Sequence, residues 1–275
     1  QGKYQIKPPF PFSPAAEVAG VIESVGAGVT DLKVGDRVVA SCGHNGARDK
    51  IALPANTIVK IPDNLDYDRA AGIIIIYGTA LHALEDRASP KPGETLAVLG
   101  AAGGTGLAAC ELGKLMGLKV IACASSDEKL AFAKQHGAEL TLNYAKEDLK
   151  EGLRKLTDGK GADIVYNTVG DPYFQAAHQS LALRGRQILI AAVDRIVQFN
   201  ILEFYRGQHT YVGIDTLAFS SVATGEVLRE LAPGFASGHL KPFPIKPSAI
   251  YPLEQAKAAF VAVAGSSRDR VILRP

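Results

Sequence analysis

The chain has no excess of either charge. Its 275 residues hold 30 Lys and Arg against 28 Asp and Glu, a net charge of +2. So weak a basic balance gives no electrostatic footing for nucleic acid or an anionic membrane surface. Long hydrophobic runs are also missing. The longest aliphatic run, 73–76, falls far short of the ~20 apolar residues that a membrane span needs. Cysteine is scarce. Cys42, Cys110 and Cys123 have spacings unlike a disulfide scaffold or a metal site. A reduced, cytoplasmic setting is therefore expected. Cys110 and Cys123 read as small buried residues. His44, His82, His136, His178, His209 and His239 are scattered, none at ligand spacing to a cysteine or acid, so each reads as structural or exposed. No signal peptide opens the chain, which starts at Gln1 rather than Met.

What is present is ordinary globular composition, with 47% hydrophobic and 21% charged residues. The length suits one large or two modest domains. The first 70 or so residues read as β-rich. Short apolar runs at 18–22 and 37–40 are punctuated by Gly26, Gly28, Gly35 and Gly43. Pro8, Pro9, Pro11 and Pro14 favour an extended lead-in. No helix longer than a turn is expected there. From about Ile73 the pattern alternates. Strands are predicted at 95–99, 119–123, 140–142, 164–166, 187–190 and 210–214. Helices are predicted through Leu115 and at 127–135, 146–156 and 173–183. Apolar strands spaced by helices predict an α/β fold with a doubly wound parallel sheet and right-handed crossovers. The tail reads as a helix at 221–231, an extended stretch at 242–252, a helix at 253–263 and a strand at 270–273.

The most informative segment spans 98–106. Gly100, Gly103 and Gly106 directly follow a strand and open a helix. Glycine permits the tight turn and lets backbone approach a pyrophosphate, while the helix N-terminus favours its negative charge. In this βαβ context the triplet points to a dinucleotide. The second strand ends at Cys123 and Ala124, followed by Ser125, Ser126, Asp127, Glu128 and Lys129. An NAD site usually puts an acid at that strand end. Ala124 or Ser125 stands there instead, and small hydroxyls plus Lys129 suit a 2′-phosphate, so NADPH is favoured. Asp127 keeps NADH open. The plain alternative is a capping box of Ser125 and Glu128, with Lys129 a solvated helix residue.

These features resemble the medium-chain dehydrogenase/reductase superfamily, specifically its zinc-independent quinone oxidoreductase branch. The resemblance rests on ordered segments over essentially the whole chain: 11–22, 34–38, 77–80, 92–95, 98–108, Asn143–Tyr144 and 251–256. It implies a Rossmann domain at 77–209, inserted into a GroES-like domain at 1–76, with 210–275 supplying the sixth strand and the return. It further implies that some 50 residues precede Gln1. Tyr4 matches a tyrosine that reaches the nicotinamide and is the candidate proton donor, with water as the alternative. Thr79 matches a hydroxyl residue near the cofactor. Gly103, Gly104 and Thr105 match a pyrophosphate cradle. Ser125, Ser126, Lys129 and Tyr144 match the surroundings of the adenosine phosphate. Thr168, Ala191, Ala192 and Val193 match a lining of the nicotinamide ribose. Zinc-dependent relatives carry a His beside the acid where this chain has Ala16 and Glu17, and Ala16 cannot coordinate a metal. The segment 193–200, including Arg195, departs from the family's glycine-rich turn, as do Glu203, Tyr205 and Arg206 from its aliphatic run.

The resemblance implies an NADPH-dependent oxidoreductase acting on a quinone or an α,β-unsaturated carbonyl, and a homodimer joined through the 210–214 strand. The alternatives are an alcohol dehydrogenase, an acyl-thioester enoyl reductase, or a cofactor-binding protein without turnover.

Overall fold

The computed structural model describes residues 7–194, 196–264 and 269–275. In chain order it begins with β1 (Glu17–Val21), β2 (Arg37–Ser41), β3 (Ile58–Lys60) and α1 (Tyr67–Ala70). Next come α2 (Ile74–Leu81) and a π-helical turn at His82–Ala88. An alternating series follows: β4 (Thr95–Leu99), α3 (Gly104–Leu115), β5 (Lys119–Ala124), α4 (Asp127–Gln135), β6 (Leu140–Asn143) and α5 (Leu149–Leu156). It continues with β7 (Ala162–Asn167), α6 (Phe174–Gln179), β8 (Leu181–Leu189), α7 (Ile201–Gly207) and β9 (Thr210–Gly213). The tail adds α8 (Ser221–Ala236), β10 (Ile250–Pro252), α9 (Ala256–Ala264) and β11 (Ile272–Arg274). Two compact units emerge. One comprises 1–75, 219–238 and 242–275, the other 76–218 and 239–241.

In the first unit β2 pairs antiparallel with β1 and β3, and β10 pairs parallel with β11. Helix α8 packs on β2 and β3, burying Leu228, Leu231 and Phe235. Asn64 Nδ2 donates to the carbonyls of Phe235 and Ala236, at 3.1 and 3.3 Å, and so satisfies the end of that helix. Glu17 lies in β1, half-buried, with its side chain turned away from solvent. Its carboxylate pairs with Arg270 and accepts the amides of Ile74 and Ile75, at 3.0 and 3.3 Å. The acid beside Ala16 is thus fully engaged in holding chain segments together.

The second unit is built on a six-stranded parallel sheet, ordered β6-β5-β4-β7-β8-β9. One face presents Ala97, Leu99, Ile121, Cys123, Leu142 and Val165 to Leu149 and Leu153 of α5 and Ala177 of α6. The other buries Leu96, Val98, Val120, Ala122, Ile164 and Ile188. Burial on both faces is why these strands read as near-continuous apolar runs. Cys110 and Cys123 are fully buried, and burial pushes both thiols up.

Two polar clusters interrupt this apolar interior. Glu111 of α3 accepts from the Tyr77 hydroxyl at 2.8 Å and the Lys241 amide at 2.9 Å, and contacts His136 Nδ1 at 2.6 Å. It ties the 239–241 segment to the sheet's helical layer. The second cluster surrounds the fully buried His178. Tyr211 Oη lies 3.1 Å from its Nδ1, Glu203 Oε2 lies 3.7 Å from its Nε2, and the rings of Phe199, His209 and Tyr211 pack around it. Glu203 is brought there by α7.

Several elements differ from the sequence reading. The helix expected at 173–183 stops at Gln179, and Leu181 opens a strand that pairs with Ala162. Long-range pairing overrides the helical pattern of 181–183, helped by Gly161, which lies directly against the Leu181 backbone. The 146–156 helix starts only at Leu149, because Asp148 caps it. The tail helix at 221–231 runs on to Ala236. Residues 196–200 lead into a helix, α7, capped by Asn200.

Burial, the larger influence, pushes the His178 imidazole below its ordinary range, and the Glu203 carboxylate pulls the other way. His209 shifts down as well, through burial and then through His178. The unfolded chain therefore binds more protons than the folded one below about pH 6.5, so stability is present above that pH and is lost as pH falls. Urea midpoints should rise between pH 5.5 and 7.5, and His178→Gln should flatten the rise. Identical slopes in the two proteins would show that His178 is not the group responsible.

Candidate functional site

Strand order reverses between β4 and β7. The connections from β4 run outward to β5 and β6, and those from β7 run outward to β8 and β9. In open parallel sheets the crevice beyond the carboxyl ends of such strands is the ligand position. The Gly100 turn, Ser125, Tyr144, Thr168 and Ala191 all lie at or just past those carboxyl ends.

The turn after β4 is set by close approaches that only glycine allows. Gly100 has φ +72°, and a Cβ there would sit 2.3 Å from Thr168 Oγ1. A Cβ on Gly106 would lie 2.5 Å from the Gly100 carbonyl oxygen. Helix α3 therefore starts hard against the strand end. Gly103 is its N-cap and no side chain caps it. The first-turn amides of Gly104, Thr105 and Gly106 are thus presented at the positive end of a twelve-residue helix, an arrangement suited to anionic oxygens.

Next to it, the turn after β7 is locked from within. The Thr168 hydroxyl donates to the Leu99 carbonyl at 2.6 Å. Asn167 Oδ1 accepts the amides of Val169 and Gly170, and its Nδ2 donates to the Gly170 carbonyl. The loop bearing Ala191 and Ala192 lies so close to Gly170 that a Cβ there would be 2.9 Å from the Ala191 carbonyl oxygen. The exposed Val193 is held by its amide, which donates to Asp171 Oδ1 at 2.5 Å. Thr168, Ala191, Ala192 and Val193 therefore line one connected pair of turns.

Beyond β5, Lys129 Nζ donates to the Ser125 hydroxyl at 2.9 Å, and Tyr144 stands in the adjoining turn with its amide on the Ala124 carbonyl at 3.1 Å. Burial, ahead of the neighbouring Tyr173, raises Tyr144 above the usual phenol range. The N-cap of α4 is Ser126, which accepts the Lys129 amide at 3.4 Å. The capping box anticipated from Ser125 and Glu128 does not form: the cap is Ser126, and the third helical residue is then Lys129, which has no acceptor to return the bond. β5 runs through Ala124, and Ser126 rather than Ser125 serves as the extended cap. This frees the Ser125 side chain for Lys129.

Thr79, on α2, lies with its Oγ1 2.9 Å from Thr216 Oγ1, just past β9. Tyr4 and Arg195 lie outside the described residues. Thr216 and Lys146 were not singled out from the sequence. Lys146 reaches Asp127 across 19 positions, a pairing that no local pattern encodes, whereas Thr216 could have been found from its place after the last parallel strand. Among the described residues, no group of three or more His, Cys, Asp or Glu is arranged to hold a metal ion, and no helix is long and apolar enough to cross a membrane.

The donors present fit a dinucleotide. The uncapped helix N-terminus and the glycine-tight turn suit a pyrophosphate, and the Ser125, Lys129 and Tyr144 cluster suits an anion at the adenosine end.

Comparison with known proteins agrees with this geometry. Residues 1–63 match the alcohol dehydrogenase GroES-like domain, and residues 104–232 match the zinc-binding dehydrogenase family. The chain is 40% identical over 186 residues to the quinone oxidoreductase-like protein 2 homolog of Nematostella vectensis, covering 67% of this chain and 51% of that protein. It spans about half the length of this and the similar vertebrate relatives. To the quinone oxidoreductase of Homo sapiens it is 31% identical, covering 94% of this chain and 78% of that protein. The Escherichia coli quinone oxidoreductase complexed with NADPH superposes with a TM-score of 0.82 at 27% identity, covering 98% of this chain and 85% of that one. The chain belongs to the medium-chain dehydrogenase/reductase superfamily, in its quinone oxidoreductase branch.

Proposed function

We propose that the chain is an oxidoreductase that binds NADPH and reduces a quinone or an α,β-unsaturated carbonyl without zinc. The observation that carries the cofactor reading is the Lys129 ammonium held on Ser125, with Tyr144 in the adjoining turn, beside an uncapped helix N-terminus. The names of its relatives support the acceptor class. Bound NADPH would supply the hydride. The protein's own part is positioning. The amides of Gly104, Thr105 and Gly106 bind the pyrophosphate, with Gly100 and Gly103 giving the backbone room. Ser125, Ser126, Lys129 and Tyr144 take the 2′-phosphate. Thr168, Ala191, Ala192 and Val193 shape the nicotinamide ribose wall, and Thr79 orients the nicotinamide end. Tyr4 is the proposed proton donor. Domains at 1–76 and 77–209, with the remainder at 210–275, and a cytoplasmic location complete the reading.

NADPH oxidation by the full-length protein, followed against quinones, enones, aldehydes and acyl-thioesters, tests it. The expected result is turnover with the first two classes. Activity confined to aldehydes or to thioesters would replace the acceptor assigned here, and binding without any turnover would remove the enzymatic reading.

A charge-assisted hydrogen bond from Lys129 predicts that Lys129→Ala raises the Michaelis constant for NADPH by roughly tenfold or more while leaving that for NADH nearly alone. An unchanged ratio would reduce Lys129 to a solvated helix residue. Gly106→Val should weaken binding of both cofactors by more than about tenfold, since its Cβ would collide with the turn that shapes the pyrophosphate site. β9 ends the sheet order, and its open edge suits pairing across a two-fold axis. Light scattering at micromolar concentration should give the dimer mass, and a monomer mass would contradict this.

A further inference from the structure

Asp127 is chemically misplaced for the cofactor proposed above. It opens α4 directly after Ser125 and Ser126, and a carboxylate beside a 2′-phosphate is a like-charge neighbour. Such an acid favours ribose hydroxyls instead. The structure shows how this carboxylate is engaged. Its Oδ1 accepts from Asn143 Nδ2 at 2.6 Å, and its Oδ2 accepts from Lys146 Nζ at 2.5 Å. These bonds, that from Lys146 first, hold the Asp127 carboxyl below its ordinary range, so it does not escape its charge by protonation near neutrality. Lys146 is itself fixed in place. Its amide donates to the Asn143 carbonyl at 3.0 Å, and Asn143 Oδ1 accepts the Ala145 amide at 3.1 Å. Tyr144 stands in the same turn, with its amide on the Ala124 carbonyl at 3.1 Å. The two turns that gather Ser125, Lys129 and Tyr144 thus also bring together Asp127, Asn143 and Lys146.

We infer that Lys146 is a specificity-determining residue that acts through Asp127. Its ammonium cancels the carboxylate and draws it toward the 143–146 turn, so the strand end accepts a 2′-phosphate that Asp127 would otherwise repel. This rests on the NADPH reading above. It assigns Lys146 no contact with the cofactor, and Asp127 becomes the latent NADH determinant.

The test is fluorescence titration of the full chain with NADPH and with NADH, using wild type, Lys146→Met, Lys146→Arg, Asp127→Asn and the Lys146→Met/Asp127→Asn pair. Thermal melts should show each variant folded, as expected for two side chains that are about two-thirds exposed. Lys146→Met should weaken NADPH about three- to tenfold while NADH is unchanged or tighter. Lys146→Arg should behave as wild type. Adding Asp127→Asn to Lys146→Met should restore NADPH affinity to within about twofold of wild type, since no carboxylate is left to cancel. The Lys146→Met defect should also shrink as salt is raised from 50 to 500 mM, through screening. A defect that persists in the double variant would overturn the inference, because Lys146 would then act on the phosphate directly. An unchanged NADPH to NADH ratio in Lys146→Met would overturn it too. A wild type that prefers NADPH while the variants fail these expectations sinks this inference alone. A wild type without that preference sinks the cofactor reading and this inference together.

Discussion

The structure around the candidate site depends on one constraint: α3 must begin immediately at the carboxyl end of β4. A Cβ at Gly106 would lie 2.5 Å from the Gly100 carbonyl oxygen, and one at Gly100 would lie 2.3 Å from the Thr168 hydroxyl. Removing both side chains brings helix, strand and the neighbouring turn into one packed unit. The result is an uncapped helix N-terminus facing the crevice where the strand order reverses. Peptide dipoles and unpaired amides there favour negative charge before any side chain contributes.

Side chains then add polar groups at the next strand. Ser126 takes the capping role, which frees Ser125 to receive Lys129. Across the same pair of turns, Asp127 is engaged by Asn143 and Lys146. A lysine held on a serine and an ion-paired carboxylate therefore share the same pair of turns. In the other unit, the acid next to Ala16 is held by Arg270 and by two backbone amides, which tie separate chain segments together.

Much of this was legible in the sequence because the signals are local. The glycine turn is a steric statement about three residues, and the six parallel strands are apolar on both faces, so their runs stand out. What stayed hidden was set at long range. Leu181, Ala182 and Leu183 look like the end of a helix, yet pairing with Ala162 and the close approach of Gly161 make them strand. β3 is only three residues long, too short to show an alternating pattern. The cap slipped from Ser125 to Ser126 because β5 runs through Ala124. The Asp127–Lys146 pair, the Thr79–Thr216 contact and the Glu111 network each join residues far apart in the chain, and no periodicity announces them.

The central claim is that the ends of β4 and β5 together recognise a phosphorylated adenosine half-cofactor. Calorimetric titration of the wild-type chain with 2′-phospho-ADP-ribose and with ADP-ribose tests this without any acceptor or turnover. The account predicts that both fragments bind at one site per chain, the phosphorylated one at least about tenfold more tightly. Equal affinities, or no binding of either fragment, would contradict it.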